Sequence, residues 1–242
     1  MFGRRPDATQ VTGLPTIRRF MPFISPRRND SLVLYAQEIE ADAALRFVDE
    51  FNVGRSEESQ ITLFHLVLSA IASAVHAYPG VNRFVSGGRL WQRDGVWITF
   101  SAKQEILPGS PLLTIKREFP KEETLDEMVG EILGSVRSRR RGKKTTSDRE
   151  MSLANRLPPF VVRFVVWALR KVDALGLLPK AMIDDDPLFT SLFVANLGSV
   201  GLNAGYHHLW EYGTCSMFAV MGRLKKRHDG VTVFDVEYSY DE

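Results

Sequence analysis

At 242 residues, 44% hydrophobic and 25% charged, the chain is long enough for one large or two small domains, and its composition excludes a disordered or fibrous protein. With 31 basic against 29 acidic residues the net charge is +2, too balanced to demand nucleic acid as a partner. The single cysteine, Cys215, excludes an internal disulfide and fits a reducing compartment.

In chain order, residues 1–17 are rich in polar residues and are expected as an N-terminal arm, without the apolar core of a signal peptide. Leu32, Val33, Leu34 and Tyr35 predict a strand over Ser31 to Glu40. Ala44, Leu45, Val48 and Phe51 then share one helix face, and a second helix starts at Thr62 as N-cap and stops at Pro79-Gly80. Gly87-Gly88 and Asp94-Gly95 are turn dipeptides suited to positive φ. Strands are expected at Leu90 to Gln92, Val96 to Ala102 and Leu112 to Lys116.

Thr124 predicts the cap of the clearest helix, with Leu125, Met128, Val129, Ile132, Leu133 and Val136 on one face. A basic run follows: Arg137, Arg139, Arg140, Arg141, Lys143 and Lys144. It suits an acidic partner, the phosphates of a ligand or an anionic membrane surface, but a solvated loop beside a core helix is the simpler and favoured reading. A last helix near Pro158 to Val172 is apolar on most sides. Its longest apolar stretch, Phe160 to Leu169, is interrupted by Arg163 and falls short of the about 20 residues that cross a bilayer. The expected location is therefore cytoplasmic. Strands at Ser191 to Asn196, Cys215 to Arg223 and Val231 to Tyr240 close the chain, with His228-Asp229-Gly230 turning the last pair. Helices and strands without regular alternation predict an α+β domain, a mixed sheet with packed helices.

Several of these segments resemble the catalytic domain of dihydrolipoamide acyltransferases and chloramphenicol acetyltransferase. Arg18-Arg19-Phe20-Met21 is similar to that family's entry segment. Pro79, Asn82 and Phe84 resemble the end of its long helix, and Phe193 to Gly201 resembles its strand and Asn-Leu-Gly turn. Cys215 to Arg223 is similar to the apolar strand ending in Val-Gly-Arg, and Phe234 to Asp241 to the strand leading into the catalytic Asp-His-Arg-x-x-Asp-Gly. The resemblance covers residues 18–242 as one acyltransferase-like domain. It implies a trimer with each active site between neighbouring subunits, coenzyme A as the candidate cofactor and 2-oxoacid dehydrogenase components as candidate partners.

The resemblance also implies chemistry: a histidine base deprotonating a thiol and a hydroxyl donating to the oxyanion. Here the histidine position falls on Glu242 and the donor position on Ala195, and the Asp-Gly pair has no counterpart before the chain ends. Arg18 or Arg19 would be the loop-anchoring arginine. The candidate binding residues are Asn196, Gly198, His207, His208 and Glu211. One of the two adjacent histidines is expected to border the pocket while the other turns inward, since neighbours on an extended segment point oppositely. No metal site is expected, and Cys215 is expected as an inert core thiol.

The leading expectation is a diverged, inactive acyltransferase homologue serving as a trimeric assembly or scaffold module. An active acyltransferase whose chain completes the motif after Asp241, and a membrane-peripheral or anion-binding protein, are the alternatives.

Overall fold

The computed structural model describes residues 4–56, 59–103, 112–140 and 157–241. Glu242, Arg141, Lys143 and Lys144 lie outside the described residues, as does the side chain of Arg140. The elements run in the order β1 (Ala8–Gln10), α1 (Thr16–Ile24), β2 (Leu32–Glu40), α2 (Asp42–Asn52), α3 (Leu63–Ala77), β3 (Arg83–Ser86), β4 (Arg89–Arg93), β5 (Trp97–Lys103), β6 (Leu112–Glu118), α4 (Leu125–Arg140), α5 (Pro159–Ala174), α6 (Lys180–Asp185), β7 (Leu192–Asn196), β8 (Met217–Met221), β9 (Lys225–Lys226) and β10 (Thr232–Asp241).

Two sheets form. The larger has strand order β2-β10-β8-β7-β5-β6, with β9 also on β10, and the smaller has order β1-β4-β3. Within the larger sheet β7 runs parallel to both β5 and β8, while the remaining pairs are antiparallel. This is the mixed sheet expected from the sequence, and its helices pack on one face. Ile98, Phe100, Leu192, Val194, Ala219, Met221, Phe234 and Val236 from the strands meet Leu68, Ala72 and Val75 of α3 and Met128, Val129 and Ile132 of α4 in one buried cluster. The period-2 alternation sends Phe193, Phe218 and Val220 to the opposite face, where they pack with Leu209 and Cys215.

Capping chemistry sets two helix starts. At α4 the Thr124 backbone N–H donates to Glu127 Oε2 at 2.9 Å, and the Glu127 N–H donates to Thr124 Oγ1 at 3.3 Å. At α3 the residue filling the glutamate role is His65, whose Nδ1 accepts from the Thr62 N–H at 3.1 Å. That bond requires a lone pair on Nδ1, and burial lowers the His65 pKa, so both effects favour the neutral ring.

Three features depart from expectation. The described part of the expected arm, residues 4–17, is docked: Ala8 to Gln10 pair with Trp91 to Arg93, and Arg5 and Asp7 are buried. The apolar helix α5 is largely exposed instead of serving as a core helix. Helices α1 and α6 have no counterpart in the sequence reading; α1 carries Pro22 inside it and buries none of its residues.

Candidate functional site

A cavity of about 430 Å³ lies between α1, the 28–31 turn, the β3–β4 hairpin, the end of α5, the 211–213 segment and the end of β10, and a more open one of about 440 Å³ lies between β6 and α4. The position of the first follows from the hairpin turn. Gly87 and Gly88 have φ of +61° and +69°, the left-handed pair that a two-residue hairpin turn requires. A Cβ at Gly87 would sit 2.1 Å from Ala174 O, and one at Gly88 would sit 2.9 Å from Phe23 Cζ. The turn is thus wedged between the ends of α5 and α1 and holds both against the cavity.

Below the cavity lies a buried ionic network. Arg5 Nε is 2.9 Å from Asp7 Oδ1, and Arg5 Nη1 is 2.7 Å from Asp173 Oδ1. Ser86 Oγ donates to Asp173 Oδ2 at 2.7 Å. Arg93 Nη1 stands 3.4 Å from Asp7 Oδ2, while its Nη2 donates to Thr214 Oγ1 at 2.7 Å. Both guanidinium groups lie over the Phe84 ring, at 5.0 Å and 4.5 Å. Burial pushes the Arg93 pKa down to about 10, against the opposing pull of Asp7, so Arg93 stays charged at neutral pH.

At the far wall β10 ends on Asp241. Ser31 Oγ donates to its Oδ1 at 2.9 Å, and Arg28 Nε lies 3.5 Å from its Oδ2. Burial raises the Asp241 pKa, while Ser31 and Arg28 act in the opposite direction. Arg28 also donates to Trp210 O at 2.8 Å, and Asn29 Nδ2 donates to Leu209 O at 2.9 Å, clipping the 209–211 segment onto the turn. The arginine held near the end of β10 is therefore Arg28. Arg18 and Arg19 are exposed on α1, and of these two only Arg18 lines the cavity.

The other expected site residues are scattered. Ala195 on β7 is level with Val220 on β8, which is level with Glu237 on β10. Asp241 lies further along β10 and two strands across, roughly 16 Å away by strand rise and spacing. One subunit therefore does not bring the Ala195 position and the end of β10 together. Asn196 Oδ1 accepts from the Ser199 N–H three residues on at 3.0 Å, and a Cβ at Gly198 would sit 2.5 Å from Gly222 O. Those two residues shape a close backbone contact. Glu211 does reach the cavity, where it accepts from Asn29 Nδ2 at 3.2 Å and pairs with Arg170 at 3.9 Å.

His207 and His208 do not split as expected. Their rings stack on each other at 4.5 Å, His207 stacks on Phe218 at 4.1 Å, and neither lines the cavity. The 202–210 segment carries no strand, so extended-chain alternation does not govern it. His207 Nδ1 lies 2.6 Å from the carbonyl of its neighbour His208. Cys215 is buried, and its thiol pKa is pushed up to about 11, which fits an inert core thiol. Among the described residues no cluster of His, Cys, Asp or Glu has the makings of a metal site.

Sequence reasoning missed Arg28, the Arg5-Asp7-Asp173 network and Lys116, whose Nζ donates to Ile183 O at 2.5 Å and Asp186 O at 3.2 Å. The signal for Arg28 was its place just before the β2 strand run; the other two join segments too distant for any local pattern to reveal. The cavity's serines illustrate its chemistry: Ser86 and Ser31 both donate to carboxylates, and no imidazole stands beside either to activate it.

No family model matches the sequence, and no curated protein matches it. Solved structures do. A probable dihydrolipoamide acetyltransferase from Listeria monocytogenes superposes with a TM-score of 0.58 at 15% identity, over 96% of this chain and 85% of that one. The dihydrolipoamide acetyltransferase of Azotobacter vinelandii gives 0.57 at 15% identity, covering 96% and 84%. In that enzyme the roles of a serine, a histidine and an asparagine in the catalytic mechanism were investigated. A chloramphenicol acetyltransferase gives 0.57 at 12% identity, covering 97% and 90%. This chain thus has the chloramphenicol acetyltransferase-like fold, as its sequence motifs had indicated.

Proposed function

We propose that this protein keeps the acyltransferase fold without thiol acyl transfer and works as a homotrimeric assembly module. The observation that carries this reading is Ala195: at the place where the resembling family puts its oxyanion donor, this chain has a methyl group, with nothing to donate. The end of β10 supports it, because the resemblance puts the base on Glu242, a carboxylate where the family has an imidazole. A carboxylate, ordinarily near pKa ~4.3, is a mismatched proton acceptor for a thiol near pKa ~8.5.

The test is acetyl transfer from acetyl-coenzyme A to dihydrolipoamide. Each lost donor or base removes a factor of about 10² to 10⁴, so turnover should lie far below 1 s⁻¹. A turnover near ~1 s⁻¹ or above, in the range of working enzymes, overturns the reading. Light scattering at low micromolar concentration should return three times the 27.4 kDa chain mass, and a stable monomer removes the assembly role.

A further inference from the structure

We propose that α1 and α5 together form a docking face for an anionic lipid bilayer. The first observation is exposure. Phe160, Phe164, Val165, Val166 and Trp167 of α5 are 73%, 65%, 42%, 39% and 56% exposed, and Arg163 to Trp167 are five consecutive exposed positions. Five in a row turn through more than a full helical circle, so solvent reaches this part of α5 all round, while Leu169 and Val172 further along pack against Leu178, Ile183 and Phe189. A helix so apolar in water lacks its partner phase. Ile17, Phe20, Phe23 and Ile24 of α1 are 57% to 68% exposed as well.

The second observation is charge. Residues 8–29 and 157–172 carry Arg18, Arg19, Arg27, Arg28, Arg163, Arg170 and Lys171, and no Asp or Glu. Arg28 is paired with Asp241 and Arg170 with Glu211, which leaves Arg18, Arg19, Arg27, Arg163 and Lys171 as the exposed cations on the two segments whose aromatic residues face solvent. Exposed Phe and Trp interleaved with Arg is the composition that inserts at a headgroup layer and is drawn there by anionic lipid. The third observation is placement: the Gly87-Gly88 turn touches the ends of both helices, so they are fixed to one support. The helices are too short to span, and no helix among the described residues is long and apolar enough to cross a membrane. The face would therefore lie on the bilayer. Of the basic run, Arg139 donates to Thr114 O at 3.4 Å, and Arg141, Lys143 and Lys144 lie outside the described residues.

The experiment is vesicle sedimentation of the full chain with phosphatidylcholine alone and with phosphatidylcholine mixed with phosphatidylglycerol. The expected result is pelleting with the mixed vesicles only, weakened by salt. Phe164→Ser/Trp167→Ser should lower that binding by roughly tenfold or more. Arg19→Glu/Arg163→Glu should do the same, with the melting temperature unchanged in both because all four side chains are exposed. No pelleting, equal pelleting with neutral vesicles, or binding that survives both double variants overturns the proposal. So does a fall in solution mass of Phe164→Ser/Trp167→Ser by light scattering, which would show a second copy covering this face.

Discussion

The two sheets are held by different forces. The seven-stranded sheet is closed mainly by apolar packing: Ile98, Phe100, Val194 and Val236 meet α3 and α4, and one buried arginine, Arg117 of β6, donates to Met128 O of α4 and pairs with Glu123. The three-stranded sheet has a small apolar cluster of Ala8, Phe84 and Trp91, and it is pinned to α5 and the 214 segment by Arg5, Asp7, Arg93 and Asp173. Apolar packing tolerates approximate geometry and is proportional to buried area, whereas a buried ion network depends on every member being present. The smaller sheet should accordingly fail abruptly on a single substitution, and it is this sheet that forms the cavity floor.

Asp7→Ala tests that contrast most severely. It takes the carboxylate from Arg93 and leaves Arg5 with Asp173 alone, on side chains 2% and 1% exposed, and should cost about 3–5 kcal/mol in urea unfolding. A loss below about 1 kcal/mol would show that the network is dispensable. Leu68→Ala, in the apolar core and fully buried, should cost about 2–5 kcal/mol while leaving the ionic network in place. If Asp7→Ala proved the milder of the two, the order of the two sheets would be reversed.

Lys116 sharpens the comparison through pH. Burial lowers its pKa from 10.5 to about 8. Below pH 8 the folded and unfolded states both hold the proton, and the full burial penalty is present. Between pH 8 and 10.5 the folded state sheds it first, so stability rises with pH, by at most about 3 kcal/mol, and levels off above 10.5. Lys116→Met should lose that rise, and parallel pH curves for the two proteins would refute the assignment. The smallest effect is local: Thr124→Ala breaks the α4 cap and should cost about 1 kcal/mol by thermal unfolding, with the sheets untouched.

What the sequence revealed follows the same division. The face of α4, the alternation in β5 and the Thr62 and Thr124 caps were legible because each depends on residues within a turn or two of one another, whereas the buried side of α3, Leu68, Ala72 and Val75, was hidden in a helix apolar nearly all round. The small sheet was not. Its strand β1 has three residues, too few for a periodic signal, and Arg5 reaches Asp173 across most of the chain. At the site, Ala195 could be placed from its motif and Glu211 from its segment, but the choice of Arg28 over Arg18 or Arg19 depends on where the 28–31 turn meets β10. His207 and His208 were not separated by alternation, because their rings stack on each other and His207 also stacks on Phe218. For α5, apolar composition was legible, but whether other residues of the chain cover it was not.

The pairing of β2 with β10 bears on how the chain comes to be folded at all. Leu32 lies opposite Asp241 and Glu40 opposite Val233, so one nine-residue strand near the N-terminus finds its partner about two hundred residues later. At about 5–20 residues per second, a ribosome takes on the order of 10–40 s to supply that partner. Until then β2 pairs with no other strand among the described residues, and β8 lacks one of its two neighbours. Closing so long a loop is entropically late and kinetically slow, which places completion of the large sheet among the last events of folding. A nascent chain of this protein therefore carries an unpaired strand edge and two exposed apolar helices at the same time, and would depend on prompt shielding in the interval before β10 arrives.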